Sequence, residues 1–232
     1  MLDKYLLFFT HDILANSTVI VTLLPIFIII YRKAYVDPTF RLLLIYLIIK
    51  LVLDVMMFHF ATFRINNLML YNISVVVRYT LLSGMFLYKF ENPLLKKIII
   101  PLSIAFIIFS SWDIWISNPN IAHINEHRIV KYATTLEALL MILWTLIYFY
   151  ELIRSLKIPS LLTFPFFWVC SGLLVYYSSL IFISPALNYS MRWETMFAIG
   201  YLDRVLYMFD IIIMLLFSLG TWVFSARFYA RH

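Results

Sequence analysis

The chain has 232 residues, of which 64% are apolar and 13% are charged, and its mean hydropathy is +0.93. A water-soluble domain with a polar exterior does not reach this balance, so the composition excludes that class and indicates an integral membrane protein. The net charge of +6 does not indicate a nucleic-acid partner, because the basic residues lie near the ends of the apolar segments and not on one soluble face.

Seven segments are long and apolar enough to cross a lipid bilayer, since a spanning helix needs about 20 mostly apolar residues. In chain order they are residues 8–31, 41–61, 67–89, 97–117, 131–153, 165–184 and 204–226. Continuous apolar stretches such as "IIIPLSIAFIIF" lack the strict alternation of barrel strands. The predicted fold is therefore all-α, a polytopic membrane helical bundle of seven transmembrane helices that forms one domain over residues 1–232, with long outer loops at 118–130 and 185–203.

The first and sixth segments carry two further expectations. "MLDKYLLFFTHD" lacks the basic start and the small-residue cleavage site of a signal peptide, so the first helix is expected to be retained. The single cysteine, Cys170, falls inside the sixth helix, so no disulfide within the chain is predicted.

Positive charge divides unequally between the two sides of the predicted bundle. Of the 18 Lys and Arg residues, Lys50 and Arg78 fall inside spans, ten lie on one side and six on the other. The positive-inside rule therefore predicts that the N-terminus is outside and the C-terminus is cytoplasmic.

Ionisable residues inside the predicted spans are the main candidates for function. They are Lys50, Asp54, Arg78, Asp113, Glu137 and Asp210. Such groups are costly in lipid and tend to face the interior of a bundle. At about 1.5 Å per residue, all of them lie within roughly 17 Å of the predicted outer ends, which predicts a shared polar cavity in the outer half.

Helical spacing adds three aromatic residues to this predicted cavity. Tyr71 shares a stripe with Arg78, and Trp144 and Tyr148 share a stripe with Glu137. Because an aromatic face beside an acid suits a cationic or planar ligand, these residues indicate a ligand-binding wall.

Two interpretations of the buried charges stay open. Four acids face two bases, which is typical of a proton-linked or cation-binding site. Alternatively, the charges pair as ties between helices, with Lys50 and Asp54 four residues apart and expected to pair within their own helix.

Signatures of metal binding, of enzyme catalysis and of retinal binding are weak or missing in the sequence. "HINEH" places His123 and His127 four residues apart, a spacing that could bind a metal on a helix. The segment is predicted to be a solvated loop with no clear third ligand, so no metal and no cofactor are predicted. Phosphate-binding glycine loops, GxSxG and HExxH do not occur, and residues 204–226 contain no lysine for retinal.

Three stretches of the sequence are distinctive when taken together. They are residues 65–90, residues 136–152 and "PFFWVCSGLLVYYSSLIFI". Together they resemble a family of small uncharacterised seven-helix membrane proteins from Bacteroidota. The most specific pattern, P-x-F-W-x-x-x-G-x-L-x-Y-x-S, falls on Pro165, Phe167, Trp168, Gly172, Leu174, Tyr176 and Ser178. The resemblance implies a multi-pass protein of the inner membrane with a sensory or accessory role beside signalling proteins, and it implies no catalytic residues.

The expected function is a non-enzymatic, receptor-like or accessory membrane protein. The cytoplasmic segments are too short to fold alone, so any signal is expected to pass to a partner protein. An intramembrane enzyme that acts on lipid and a small proton-coupled transporter are the alternatives. An enzyme would need a lateral opening and acids close together, whereas a transporter would need access from both sides.

Overall fold

The structure is a computed structural model that describes residues 5, 9–10, 13–120, 123–154, 161–190 and 196–224. Seven long helices occur among these residues. The helices are α1 (Ile13–Tyr31), α2 (Pro38–Thr62), α3 (Leu68–Lys89), α4 (Pro93–Ser117), α5 (Ala133–Arg154), α6 (Pro165–Ser190) and α7 (Met196–Val223). Each is long and apolar enough to cross a membrane, and no strand occurs among these residues. The predicted fold class is confirmed: the chain is a multi-pass membrane protein built as a seven-helix bundle.

The predicted and observed helices differ most at the loop expected over residues 185–203. Instead, α6 continues through Pro185 to Ser190, and α7 begins at Met196. A proline removes one helical hydrogen bond, which the packed environment of a membrane protein tolerates. Only residues 191–195 of the predicted loop lie outside the described helices.

Two helices begin earlier than hydropathy indicates because proline and a capping side chain fix their first turns. Asp37 precedes Pro38 and its carboxylate accepts a hydrogen bond from the Thr39 backbone N–H at 2.7 Å. Asn92 precedes Pro93 in the same way. Proline at the first helical position after such a cap is a known helix start.

Alternating helix directions give the bundle two distinct ends. The connections 63–67 and 118–132 lie at one end, which topology predicts to be outside, and we call it the outer end. The connections 32–37, 90–92 and 161–164 lie at the opposite, inner end. At the outer end a hydrogen bond joins the two connections, from Asn66 Nδ2 to the His127 carbonyl at 2.9 Å.

The inner half of the bundle is filled by packed aromatic rings, which we call the aromatic cluster. Its members are Phe86, Phe90, Trp144, Tyr148 and Phe166, all of them buried. The Phe166 ring packs edge-on against Tyr148 at 4.9 Å and against Phe86 at 5.7 Å between ring centroids. Such contacts add to the stabilisation from burial, so this half of the bundle is well packed.

One glycine allows α6 and α7 to approach closely at the inner end. A Cβ atom on Gly220 would lie 2.7 Å from the Pro165 carbonyl oxygen, whereas one on Gly84 would lie 3.3 Å from the flexible end of the Leu42 side chain. We expect Gly220→Ala to lower the free energy of unfolding in detergent by about 1–3 kcal/mol, because backbone atoms must move apart. Gly84→Ala is the matched control, and an equal loss in both variants would contradict this account.

Candidate functional site

The first of two ionic groups in the outer half is built on Lys50, which lies between two aspartates. Its Nζ donates to Asp54 Oδ2 at 2.6 Å and to Asp210 Oδ2 at 2.9 Å. The predicted pair within α2 is therefore confirmed, and the ammonium also joins α2 to α7. All three side chains are mostly buried.

The second ionic group joins α3, α5 and α6. The Arg78 guanidinium donates from Nε to Glu137 Oε1 at 2.6 Å and from Nη2 to Glu137 Oε2 at 2.5 Å. Tyr177 donates its hydroxyl hydrogen to Glu137 Oε1 at 2.8 Å, and Arg78 Nη1 donates to the Tyr176 oxygen at 3.2 Å. Since Glu137 is completely buried, this bidentate pair is the charged centre of the bundle.

A partly open cavity of about 400 Å³ lies between these two groups. Lys50, Asp54, Tyr71, Arg78 and Asp210 line it, so the structure brings these five predicted residues together. Glu137 does not line the cavity, but it binds Arg78, which does. The volume of the cavity falls within the range of small-molecule sites.

Tyrosines form the aromatic wall of this cavity. They are Tyr46, Tyr71, Tyr176 and Tyr207. The Arg78 guanidinium carbon lies 5.7 Å from the centroid of the Tyr176 ring, so that ring already faces a cation. Tyr71 was predicted to line the cavity, Tyr176 belongs to the pattern behind the family resemblance, and Tyr207 lies one helical turn before Asp210. Nothing in the sequence indicated Tyr46.

Trp144 and Tyr148 do not lie at the cavity, although they share the predicted stripe with Glu137. They follow Glu137 by two and three helical turns, which places them roughly 10 and 16 Å further along α5. Both belong to the aromatic cluster, where Trp144 Nε1 donates to the Tyr79 hydroxyl at 3.4 Å. The aromatic wall of the cavity is therefore formed without them, by Tyr46, Tyr71, Tyr176 and Tyr207.

Asp113 also lies away from the cavity, at the outer end between α4 and α5. Asp113 Oδ2 accepts hydrogen bonds from the backbone N–H groups of Tyr132 and Ala133, each at 2.8 Å. Its carboxylate thus satisfies donors at the start of α5 and complements the positive end of that helix. In this structure Asp113 is a cap that fixes α5 against α4.

Charge is unbalanced around the cavity. Asp54, Glu137 and Asp210 are acids, whereas Lys50 and Arg78 are the bases that bind them. If all five are ionised, the group carries one negative charge in excess. Because an uncompensated charge is costly in a low-dielectric interior, one additional positive charge, from a proton or a cationic group, would stabilise the site.

The two loop histidines do not adopt the arrangement that a metal would need. Residues 124–126 form a short 3₁₀ turn, so His123 and His127 are not on one face of an α-helix. His123 is exposed, whereas His127 is buried. Within the described ranges, no three His, Cys, Asp or Glu side chains come together as metal ligands.

A further buried ion pair at the inner end was not predicted from the sequence. Lys89 Nζ donates to Asp37 Oδ2 at 3.0 Å, and it lies 5.8 Å from the centroid of the Phe166 ring. The pair joins the start of α2 to the end of α3. The Asp-Pro-Thr helix start was the available signal for Asp37, but nothing in the sequence indicated its partner.

The sequence matches no protein-family model, no curated protein and no solved structure. The resemblance to a seven-helix family of Bacteroidota therefore stays a prediction.

Proposed function

We propose that this protein is a non-enzymatic, receptor-like or accessory protein of the cell inner membrane that binds a small cationic ligand in its polar cavity. Ligand binding would shift helices and pass the signal to a partner protein. One observation carries the proposal: the charged cavity occupies the outer half of the bundle, while the aromatic cluster fills the inner half. A polar cavity in one half of a bundle whose other half is packed is typical of a receptor.

The chemistry of the cavity favours a cation. Its walls combine Asp54 and Asp210 with tyrosine rings and hydroxyl groups, and the ionic groups around it have one acid in excess. A ligand ammonium would compensate the excess negative charge and lie against an aromatic face. Its binding would compensate charge among mostly buried side chains, where interactions between charges are stronger than in bulk water.

The same contacts offer a way to couple binding to helix position. Lys50 joins α2 to α7 through Asp210. A ligand cation that competes for Asp54 and Asp210 would weaken the contact between α2 and α7. It would thereby shift the equilibrium between two positions of α7. Toward the inner end, Arg32 Nη2 donates to the Phe224 carbonyl at 3.1 Å, which joins α1 to the residue after α7. Movement of α7 would thereby reach the inner end.

The two alternative functions receive less support. An acid–base enzyme needs an available carboxyl group, but Asp54 and Asp210 both bind Lys50, and His59 Nδ1 lies 2.7 Å from the Tyr5 hydroxyl on an exposed face. A transporter needs a path through the inner half, which the aromatic cluster fills. The helices that contain Pro25, Pro101 and Pro185 stay helical through them, whereas carriers commonly use broken helices.

Cysteine labelling tests the proposal without knowledge of the ligand. In a Cys170→Ala background, Ser74→Cys places a thiol on the cavity wall, and Ile73→Cys places one on the adjacent lipid-facing side of α3. Tyr88→Cys marks the exposed inner end of the same helix. Because maleimides react with hydrated thiolates, a membrane-impermeant maleimide reports which thiols water reaches.

We expect Ser74→Cys to react only from the side opposite to the one that labels Tyr88→Cys, and Ile73→Cys to stay unlabelled. Labelling of Ser74→Cys from both sides would support a transporter instead. Failure of Ser74→Cys to react from either side would show a dry bundle in which the charges are only structural ties.

A further inference from the structure

A second concave region lies outside the polar cavity, between α4 and α5 at the outer end. It is a groove of about 1910 Å³. Leu68 and Ile129 line both spaces, so these two side chains form the wall between groove and cavity. The groove is therefore a neighbouring but separate site.

The lower walls of the groove are apolar and face the lipid. Trp112 and Ile116 on α4 are 47% and 49% exposed, and Leu139 on α5 is 52% exposed. These residues lie within the last two turns of α4 and the first two turns of α5. Inside a bilayer, an apolar groove of this kind is occupied by acyl chains, because water gains no hydrogen bonds there.

The upper rim of the groove is polar and carries two bases. Arg128 and Lys131 line it and both are exposed, while Glu126 is the one acid among the lining residues that the structure describes. Asn120 Nδ2 donates to Glu126 Oε2 at 3.3 Å, so this carboxylate already has a partner. Arg128 forms no salt bridge with any residue that the structure describes. The described part of the rim thus places two bases and one acid above an apolar groove.

Backbone contacts hold the two bases in place. The Arg128 N–H donates to Asn118 Oδ1 at 2.6 Å, and the Arg128 carbonyl accepts from Asn72 Nδ2 at 2.8 Å. The Lys131 N–H donates to Asp113 Oδ1 at 3.4 Å. Asn72 and Asp113 are buried on α3 and α4. The backbone that carries Arg128 and Lys131 is therefore anchored to these two helices.

We infer that this groove binds a phospholipid of net negative charge, with its phosphate at Arg128 and Lys131 and an acyl chain between α4 and α5. Basic residues at the membrane surface each attract an anionic headgroup, and guanidinium groups bind phosphate in a bidentate manner. An apolar groove below a basic rim fits both parts of such a lipid. This inference does not depend on the proposed ligand of the polar cavity.

Native mass spectrometry of the full chain in detergent tests this inference with phosphatidylglycerol and phosphatidylcholine of identical acyl chains. We expect the wild-type protein to retain phosphatidylglycerol preferentially. Arg128→Gln/Lys131→Gln should weaken phosphatidylglycerol binding by about 25-fold, since each base contributes about a factor of five. Arg64→Gln, which removes an exposed base at the same end, is the matched control and should leave the preference unchanged.

A second variant tests the apolar part of the site with both bases present. Leu139→Trp should obstruct the groove and reduce retention of both lipids, and a thermal scan without added lipid checks that each variant is folded. The inference is overturned if the wild-type protein shows no headgroup preference. It is also overturned if the preference persists in Arg128→Gln/Lys131→Gln, or if Leu139→Trp retains as much lipid as the wild-type protein.

Discussion

Glu137→Ala is expected to lower the free energy of unfolding by about 3–5 kcal/mol, because it leaves the Arg78 guanidinium buried without its carboxylate. Glu137 accepts two hydrogen bonds from Arg78 and one from Tyr177, so the substitution also removes the acceptor for that hydroxyl. The measurement is equilibrium unfolding of the purified protein in mixed detergent, with helical content as the signal.

A double variant separates the charge effect from the loss of packing. Arg78→Met/Glu137→Leu removes both charges and should recover most of the lost stability, since an apolar pair of similar volume needs no compensation. Glu91→Ala, which removes an exposed acid at the inner end, should change stability by less than about 0.5 kcal/mol. If the double variant is as unstable as Glu137→Ala, the unpaired charge of Arg78 is not the cause of the loss of stability in Glu137→Ala.

Lys50→Met is expected to cause the second large loss, about 3 kcal/mol or more, because Asp54 and Asp210 then lie close together without the ammonium they share. Stability should rise in steps when Asp54→Asn is added and again when Asp210→Asn is added, as each change removes one uncompensated acid. Thermal unfolding in detergent measures the series.

The surface variant Lys97→Met is the control for the loss of one positive charge, because Lys97 is exposed at the inner end. It should unfold close to the wild-type temperature. A triple variant no more stable than Lys50→Met alone would refute the shared-ammonium account.

The fold could be predicted from the sequence because hydrophobic length dominates membrane insertion. Seven apolar segments predicted seven helices, and most boundaries agree to within a few residues. The errors occurred where local chemistry overrides hydropathy. Pro93 after Asn92 starts α4 early, while Pro185 does not end α6.

The candidate site was predictable only in part, since periodicity fixes the face of a helix and not its neighbour. The four-residue spacing of Lys50 and Asp54 predicts their contact, whereas the contact with Asp210 depends on how α2 and α7 are rotated against each other. Trp144 shares a face with Glu137 but lies too far along α5 to reach the cavity. Asp113 contacts the chain that follows it, and spacing within one helix cannot show that.

A high-resolution structure of the protein in lipid nanodiscs, with ordered water resolved, tests the central claim most directly. The account predicts water or a bound cationic molecule in the cavity between Lys50, Tyr71 and Asp210, beside an inner half that stays dry. A cavity filled by side chains, with every charge paired and no water among them, would contradict the account and leave the buried charges as structural ties.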